Sequence, residues 1–458
     1  MCKAEIQKDI EQHGEVEQRK VQAVLFRSNA VLHRKVDPEN PGWFYQKIQK
    51  EQQYQIADKL LLHRSLKTAK VNIYDAIFEA VKIAVNTRLL LPNKLEGIGW
   101  FTYEIFKRLA QRHPEVEWIF IFDRPYEPRF IFEKNITPVV IGPPARHPIL
   151  WYIWFEWSLP RVFQKHKPDL FISTDGYVSL RSKVPDIAVI HDINFEHHPE
   201  NIPRKARSYF LKYFRRFAHK ALRVATVSEY SRKDICATYG ITRKKVDVVY
   251  NGGGDFFFPI PPAQRKKVRD ELSGGSEYFI FIGALNPRKN IDGMLKAYTL
   301  YRNQGGRHKF VIVGEKMFWN QTIETIYQNH PFKNDIIFTG RLEGKDLNKV
   351  LASAHALLFV SHFEGFGIPI VEAFKCEIPV ITASTTSMPE VAGGAALICD
   401  PSKLEHIAGA MERINDKELR KDLIEKGKER ALIFTWENSA DMMWKSIENT
   451  LRDAGTPA

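Results

Sequence analysis

Residues 356–382, ALLFVSHFEGFGIPIVEAFKCEIPVIT, decide the fold. The run 356–360 is apolar throughout and reads as a buried strand. A loop follows in which Gly365 and Gly367 flank Phe366. Pro369 stands where a first helical residue is expected, a position at which its missing N–H does no harm. Ile370, Val371, Ala373 and Phe374 carry the helix on, and 379–382 reads as the next strand. Strand, glycine loop, helix and strand in this order make one unit of an open α/β sheet, whose ligands lie beyond the carboxyl ends of the strands. Free N–H groups at the start of the helix favour an anion there. Two carboxylates bracket the loop, Glu364 before the glycines and Glu372 in the expected first helical turn.

The alternation extends outward in both directions. Downstream, STTSMPEVAGGAALICDP supplies a loop and a final strand, and FTWENSADMMWKSIENTLR an amphipathic helix. Upstream, strands are expected at 278–283, 309–314 and 335–340. After the first of these, Arg288 and Lys289 in ALNPRKN place two cations just before a helix, where the dipole disfavours them unless an anion lies between. The glycines 252–254 and the segment FPIPPAQ read as a linker over 256–276. Before it a second alternating set begins at 81, with strands at 82–87, 118–122, 169–173, 187–190, 224–227 and 246–250. Gly97 and Gly99 lie in a loop after its first strand, and His191 directly follows the strand 187–190. Ser228 is placed to cap the helix after 224–227. Trp151, Trp154 and Trp157 are spaced for one helix face, expected to pack on the sheet. In 204–223 Tyr209, Tyr213 and Phe217 form an apolar stripe expected to be buried, with Lys205, Arg215, Arg216 and Lys220 outward for a peripheral contact with an anionic membrane.

A sugar nucleotide suits the central unit chemically. Its diphosphate meets the N–H groups, and a carboxylate at either end accepts hydroxyl hydrogen bonds in pairs. Glu372 also admits a plainer reading, as a favourable charge near a helix start.

The segment EGFGIPIVE, two glutamates with seven residues between them and GFG inside, resembles the donor-site signature of the retaining GT-B glycosyltransferases of family GT4. The resemblance covers roughly 81–452, with further segments in order: VIHDINFEHHPE, VSEYS, GALNPRKN and GRLEG. It implies two Rossmann-like domains facing across a cleft, 81–255 on the acceptor side and 277–435 on the donor side, with 436–458 crossing back to the first. It also implies a mannosyltransferase-like group that moves a hexose with retention from a nucleotide diphosphate sugar to a hydroxyl of a glycan or lipid-linked acceptor, in cell-surface polysaccharide synthesis. By the same resemblance Glu364 holds the sugar hydroxyls and Glu372 the ribose, and Arg288 and Lys289 bind the diphosphate. Arg341 and Leu342 read the base through backbone, His191 faces the donor sugar, and Gly97 and Gly99 lie over the phosphates. Gly365, Phe366, Gly367 and Ile368 complete the donor loop. The sequence departs from the family at Phe374-Lys375-Cys376-Glu377, which affects the helix end and not the donor. Two rival readings are a GT-B isomerase or phosphorylase and a non-catalytic nucleotide-sugar binder.

Composition agrees with an enzyme of this kind. At 458 residues, 44% of them hydrophobic, the chain suits two domains and an appendage. Its four cysteines are scattered, which fits neither a disulfide framework nor a zinc site and points to a reducing, cytoplasmic setting. His191, His197 and His198 lack a carboxylate at helical spacing, so neither a metal nor another cofactor is expected. No stretch reaches the ~18–20 apolar residues of a membrane span. The formal net charge of +13 suits anionic partners, but no nucleic-acid-binding motif accompanies it. Residues 1–80 carry no motif and are expected to be a mostly helical, dispensable extension.

Overall fold

Strand and helix alternate through the described part of the chain, which comprises residues 81–92, 94–316 and 321–455 of a computed structural model. The expected extension 1–80 lies outside the described residues. The first domain contains β1 (Lys82–Asn86), β2 (Glu117–Phe122), β3 (Ile136–Val140), β4 (Leu170–Ser173), β5 (Asp186–Val189), β6 (Arg223–Thr226) and β7 (Val246–Val248). They form one parallel sheet in the order β3-β2-β1-β4-β5-β6-β7. The second contains β8 (Tyr278–Ile282), β9 (Lys309–Val313), β10 (Ile336–Gly340), β11 (Ala356–Phe359), β12 (Val380–Ala383) and β13 (Ala396–Cys399), parallel in the order β10-β9-β8-β11-β12-β13. Helices cover both faces of a sheet of this type, so its strands are apolar without alternation. The segment YFIFI of β8 is buried at every position. In each sheet the strand order reverses at one junction, β1/β4 and β8/β11, and a crevice opens there at the carboxyl ends. These are two Rossmann-like domains of the GT-B kind.

Local packing departs from the sequence reading in four places. Gly97 and Gly99 belong to the first turn of helix α1 (Gly97–Arg112), not to the loop before it. The helix containing the tryptophans is interrupted by a π-helical segment, Trp154–Ser158. Its i→i+5 bonds widen the turn, so a spacing of three no longer keeps one face. Trp154 is therefore fully buried while Trp157 is 47% exposed. The stretch 256–276 contains a helix, Pro262–Ser273, in which Pro262 opens the first turn; proline there is a helix-start signal as much as a linker signal. Finally, the helix of the central unit begins one residue earlier than expected.

In helix α2 (Arg204–Lys220) Tyr209, Phe214 and Phe217 are buried against the sheet, as the stripe required, and Tyr213 is half-buried beside them. Ser228 caps helix α3 (Glu229–Tyr239), accepting a hydrogen bond from Ser231 N at 3.0 Å. The chain passes between the domains twice. At 252–254 the first crossing runs under the second, with Gly253 N donating to Phe434 O at 3.1 Å. Beyond Phe434 the helix Trp436–Asp453 packs on α1, where Glu437 and Asp441 pair with Arg108 and Arg112 at 2.7 Å each. No helix among the described residues is long and apolar enough to cross a membrane.

Candidate functional site

The 3-10 turn Pro287–Lys289 after β8 and the loop after β11 face each other at the carboxyl edge of the second sheet. Lys289 Nζ lies 2.6 Å from Glu364 Oε1, and Arg288 Nη1 lies 3.1 Å from Glu364 Oε2 and donates to Phe363 O at 2.7 Å. Glu364 is only 5% exposed. Burial pushes its carboxyl up, but Arg288 and Lys289 together outweigh burial and hold it below its ordinary value. Burial pulls Lys289 down despite Glu364, and Arg288 beside it acts in the same direction. The two cations share Glu364 and also feel Asp192 of the first domain, so a cluster of opposite charges sits together in a desolvated place.

Helix α4 (Ile291–Asn303) follows the turn. Its preceding residue Asn290, in the left-handed region at φ 59°, donates from Nδ2 to Val360 O at 3.0 Å and Pro401 O at 2.9 Å. The two loops are thus stitched together by a buried amide.

Helix α5 (Ile368–Lys375) starts from Gly367, whose φ of 103° is one that side chains rarely adopt. Pro369 is consequently its second residue and Glu372 its fifth, past the first turn. The expected first-turn position is therefore corrected, and helix-dipole stabilisation loses its force as an account of Glu372. Its electrostatics agree: burial raises the carboxyl to about 8, with only Lys375 opposing. Neither oxygen of Glu372 is hydrogen-bonded within the described residues. Phe366 packs its ring with Phe434 and Tyr250 in the core, leaving only its backbone for a ligand. Ile368 is half-buried.

The first domain closes over this loop. A Cβ on Gly365 would lie 2.7 Å from His191 O and 3.0 Å from Asp192 Cβ, so glycine is what lets the domains meet. His191 Nε2 is 2.9 Å from Thr174 O. Because a carbonyl only accepts, the proton sits on Nε2 and the neutral ring keeps its lone pair on Nδ1. Burial lowers the imidazole pKa and favours this neutral form. Behind Thr174, Asp175 is held by Arg88 at 2.6 Å and Asn86 at 2.9 Å, both buried. Arg341 Nη2 donates to Leu95 O at 3.0 Å, tying the segment beside half-buried Leu342 to the approach of α1. Gly99 packs beneath Leu89 O, whereas open space lies over Gly97. Arg288, Lys289, Glu364, Gly365 and His191 are thus brought together where the two domains meet, and Arg341 reaches the first domain at Leu95.

Several participants were not singled out from the sequence. Glu390, in the turn Met388–Ala392, accepts hydrogen bonds from Glu229 N at 2.8 Å and Tyr230 N at 2.9 Å, capping α3 across the cleft. The motif MPE, which opens this short helix, was its only signal. Lys375, inside the segment that departs from the family, donates to Gly253 O at 3.1 Å and Gly254 O at 2.8 Å and so fastens the crossing. His197, considered from the sequence only as a metal ligand, pairs instead with Asp234 at 2.8 Å, and its ring lies against Phe363.

One group among the described residues has the donor types of a metal site, at the opposite edge of the second sheet: Glu277, His308 and His355. The protons there describe a hydrogen-bond knot instead. Arg420 Nη1 donates to His355 Nε2 at 3.1 Å, so the proton of His355 is on Nδ1, facing Glu277 Oε2 across 3.3 Å, where a metal would need the lone pair. Tyr301 holds His308 Nδ1 at 2.5 Å and Arg269 holds Glu277 Oε1 at 2.6 Å. The close approach of His308 and His355 keeps Glu277 well below the usual carboxylate range.

Sequence comparison matches residues 95–252 to the family described as Glycosyltransferase Family 4 and residues 263–430 to Glycosyl transferases group 1. The chain is 28% identical over 255 residues to the O-antigen chain mannosyltransferase B of Escherichia coli, spanning 55% of this chain and 67% of that protein. It is 25% identical over 287 residues to the O-antigen chain mannosyltransferase RfbU of Salmonella typhimurium, 60% and 76% of the two chains. Among solved structures, Anabaena HepE in complex with UDP and glucose superposes with a TM-score of 0.64 at 18% identity, covering 81% of this chain and all of that one. A sucrose-phosphate synthase from Thermosynechococcus elongatus gives 0.68 at 16% identity, over 81% and 99%. These two likenesses establish the fold.

Proposed function

The chain belongs to the family 4 glycosyltransferases, and from that premise we propose that it moves a hexose from a nucleotide diphosphate sugar to a hydroxyl of a glycan or lipid-linked acceptor, retaining the anomeric configuration, in cell-surface polysaccharide synthesis. The observation that carries this reading is the convergence of Arg288 and Lys289 on buried Glu364, at the edge where α5 begins and eight residues before an unpartnered Glu372.

In this reading the donor diphosphate lies between the two cations and the start of α5. As the bond from the anomeric carbon to the phosphate oxygen breaks, the charge developing on that oxygen meets a preorganised positive site. No metal ion or other cofactor is required. Glu364 accepts from sugar hydroxyls and Glu372 from the ribose. His191 meets the sugar from the other domain through Nδ1, so closure completes the site. The departing phosphate oxygen takes the proton of the acceptor hydroxyl, and a new bond from acceptor oxygen to anomeric carbon replaces the one lost. The names of the relatives, with the H-D and PRKN segments, favour GDP-mannose as donor.

A thermal-shift panel of GDP-mannose, UDP-glucose and other nucleotide sugars tests the donor, with GDP-mannose expected to raise Tm most. No shift with any of them would overturn the reading. Nucleoside diphosphate released only when an acceptor is present separates transfer from isomerisation or phosphorolysis.

A cytoplasmic enzyme working on a lipid-linked acceptor needs access to the inner membrane face, and one surface favours this. Exposed Ile149, Ile153 and Trp157 recur every four residues on the helical stretch beside α2. The exposed face of α2 carries Arg204, Lys205, Lys212, Arg215 and Arg216, and the helix has no acidic residue. Apolar and cationic residues together suit an anionic bilayer. Co-sedimentation with phosphatidylglycerol vesicles but not phosphatidylcholine vesicles is expected, lost in Ile153→Glu with Trp157→Glu; equal binding to both vesicle types would count against it.

A further inference from the structure

Three consecutive hydroxyl residues, Thr385, Thr386 and Ser387, lie in the loop after β12, and each engages the backbone around Glu364. Thr385 Oγ1 donates to Ser361 O at 3.3 Å. Glu364 N donates to Thr386 Oγ1 at 3.1 Å. Ser387 Oγ reaches both Glu364 O at 2.9 Å and Phe366 O at 3.0 Å. The loop that presents the carboxylate is thereby gripped on either side of its Cα by side chains from a separate strand connection. We infer that Thr386 is a positioning residue for the donor sugar, fixing the Glu364 carboxylate through the main chain on which it is carried. The inference rests on the reading of Glu364 as the ligand of the sugar hydroxyls.

Two features single out Thr386 from its neighbours. Its φ is +56°, in the left-handed region that a β-branched residue rarely enters. Glycine or asparagine would occupy that conformation with less strain, so the presence of threonine asks for a use of its side chain. That use is visible: the hydroxyl accepts the N–H of Glu364, a residue whose side chain is buried and already committed to Arg288 and Lys289. Rotation about the Glu364 backbone would swing its carboxylate relative to both cations. With the N–H held by Thr386 and the C=O by Ser387, that rotation is blocked from both ends of the residue.

A positioning role makes a prediction that mere structural support does not. Thr386→Val keeps the shape and removes the hydroxyl; Thr386→Gly removes it while relaxing the backbone, and serves where the valine variant folds poorly. Binding of GDP and GDP-mannose, and of UDP and UDP-glucose, is measured by calorimetry beside turnover. For whichever pair binds the wild type, the Val and Gly variants are expected to bind the bare nucleotide within twofold of wild type. Affinity for the nucleotide sugar and kcat/KM should each drop at least tenfold, with Thr386→Ser recovering most of the loss. Wild-type values in both variants, or equal losses for nucleotide and nucleotide sugar, would overturn the inference. Glu364→Gln is run beside them. If it turns over normally, or if the wild type binds neither pair, the fault lies in the transferase reading itself.

Discussion

The two ends of the glycine loop make opposite electrostatic environments from the same side chain. At its head Glu364 is buried with two cations and ionises more readily than an ordinary glutamate. At its tail Glu372 is largely shielded from water with no hydrogen-bonding partner, and its carboxyl is pushed up to about 8. Burial acts on both in the same direction; only the partners differ. Glu364 is therefore part of a finished ion cluster, and Glu372 an unfinished site awaiting hydroxyl donors. A carboxyl left neutral by burial is poorly explained by folding and well explained by a ligand that supplies what the protein withholds.

That contrast can be broken by changing either end. Glu364→Gln is expected to have the largest effect, about 2–4 kcal/mol of transition-state stabilisation, read as a fall in kcat/KM. Unaltered kinetics would reduce the head of the loop to a structural cluster. Glu372→Gln should weaken nucleotide-sugar binding by about 0.5–1.5 kcal/mol, the net scale of a hydrogen bond between neutral groups. Calorimetry would detect it; an unchanged Kd would remove Glu372 from the site.

A third effect, of a different kind, lies in stability against pH. Glu372 ionises near 4.5 when unfolded and near 8 when folded, so folding takes up a proton between those values. Its contribution to stability is therefore full below about 4.5 and declines as pH rises towards 8. Glu372→Gln should flatten that decline in urea midpoints measured from pH 5 to 8, and donor affinity of the wild type should improve over the upper part of the range. A glutamate variant and wild type with parallel profiles would show that the carboxyl is not perturbed.

The second sheet and all of the first but β3 were legible because strands covered on both faces lack alternation, and runs such as YFIFI and ALLF announce themselves; β3, ITPVV, was not expected, being a partly exposed edge strand with a proline inside it. Arg288, Lys289 and Glu364 were legible for a related reason: each follows a strand, and parallel strands deliver their carboxyl ends to one edge. The π-helical turn was not, since WFEWS differs in no simple way from an α-helical segment and tertiary packing decides the matter. Pro261 and Pro262 misled because the same residue ends one element and begins another. The grip of 385–387 on the loop had no periodicity to betray it; threonine and serine in a loop look alike whether they face solvent or hold a catalytic backbone in place. Lys375 was read as helix-end packing, yet its ammonium group anchors two glycine carbonyls of the interdomain crossing.

The double passage of the chain between the domains has a mechanical consequence. One connection alone would behave as a tether, free to twist as well as bend. Here the strand of chain at 252–254 and the return at Phe434 lie in contact, pinned by Gly253 N to Phe434 O and by the lysine from α5. Two pinned connections act like a pair of barrels on one pintle: they permit swinging about a single axis and resist torsion. Any opening of the domains would then have to retrace its own arc, which would return His191 to the same spot beside Gly365.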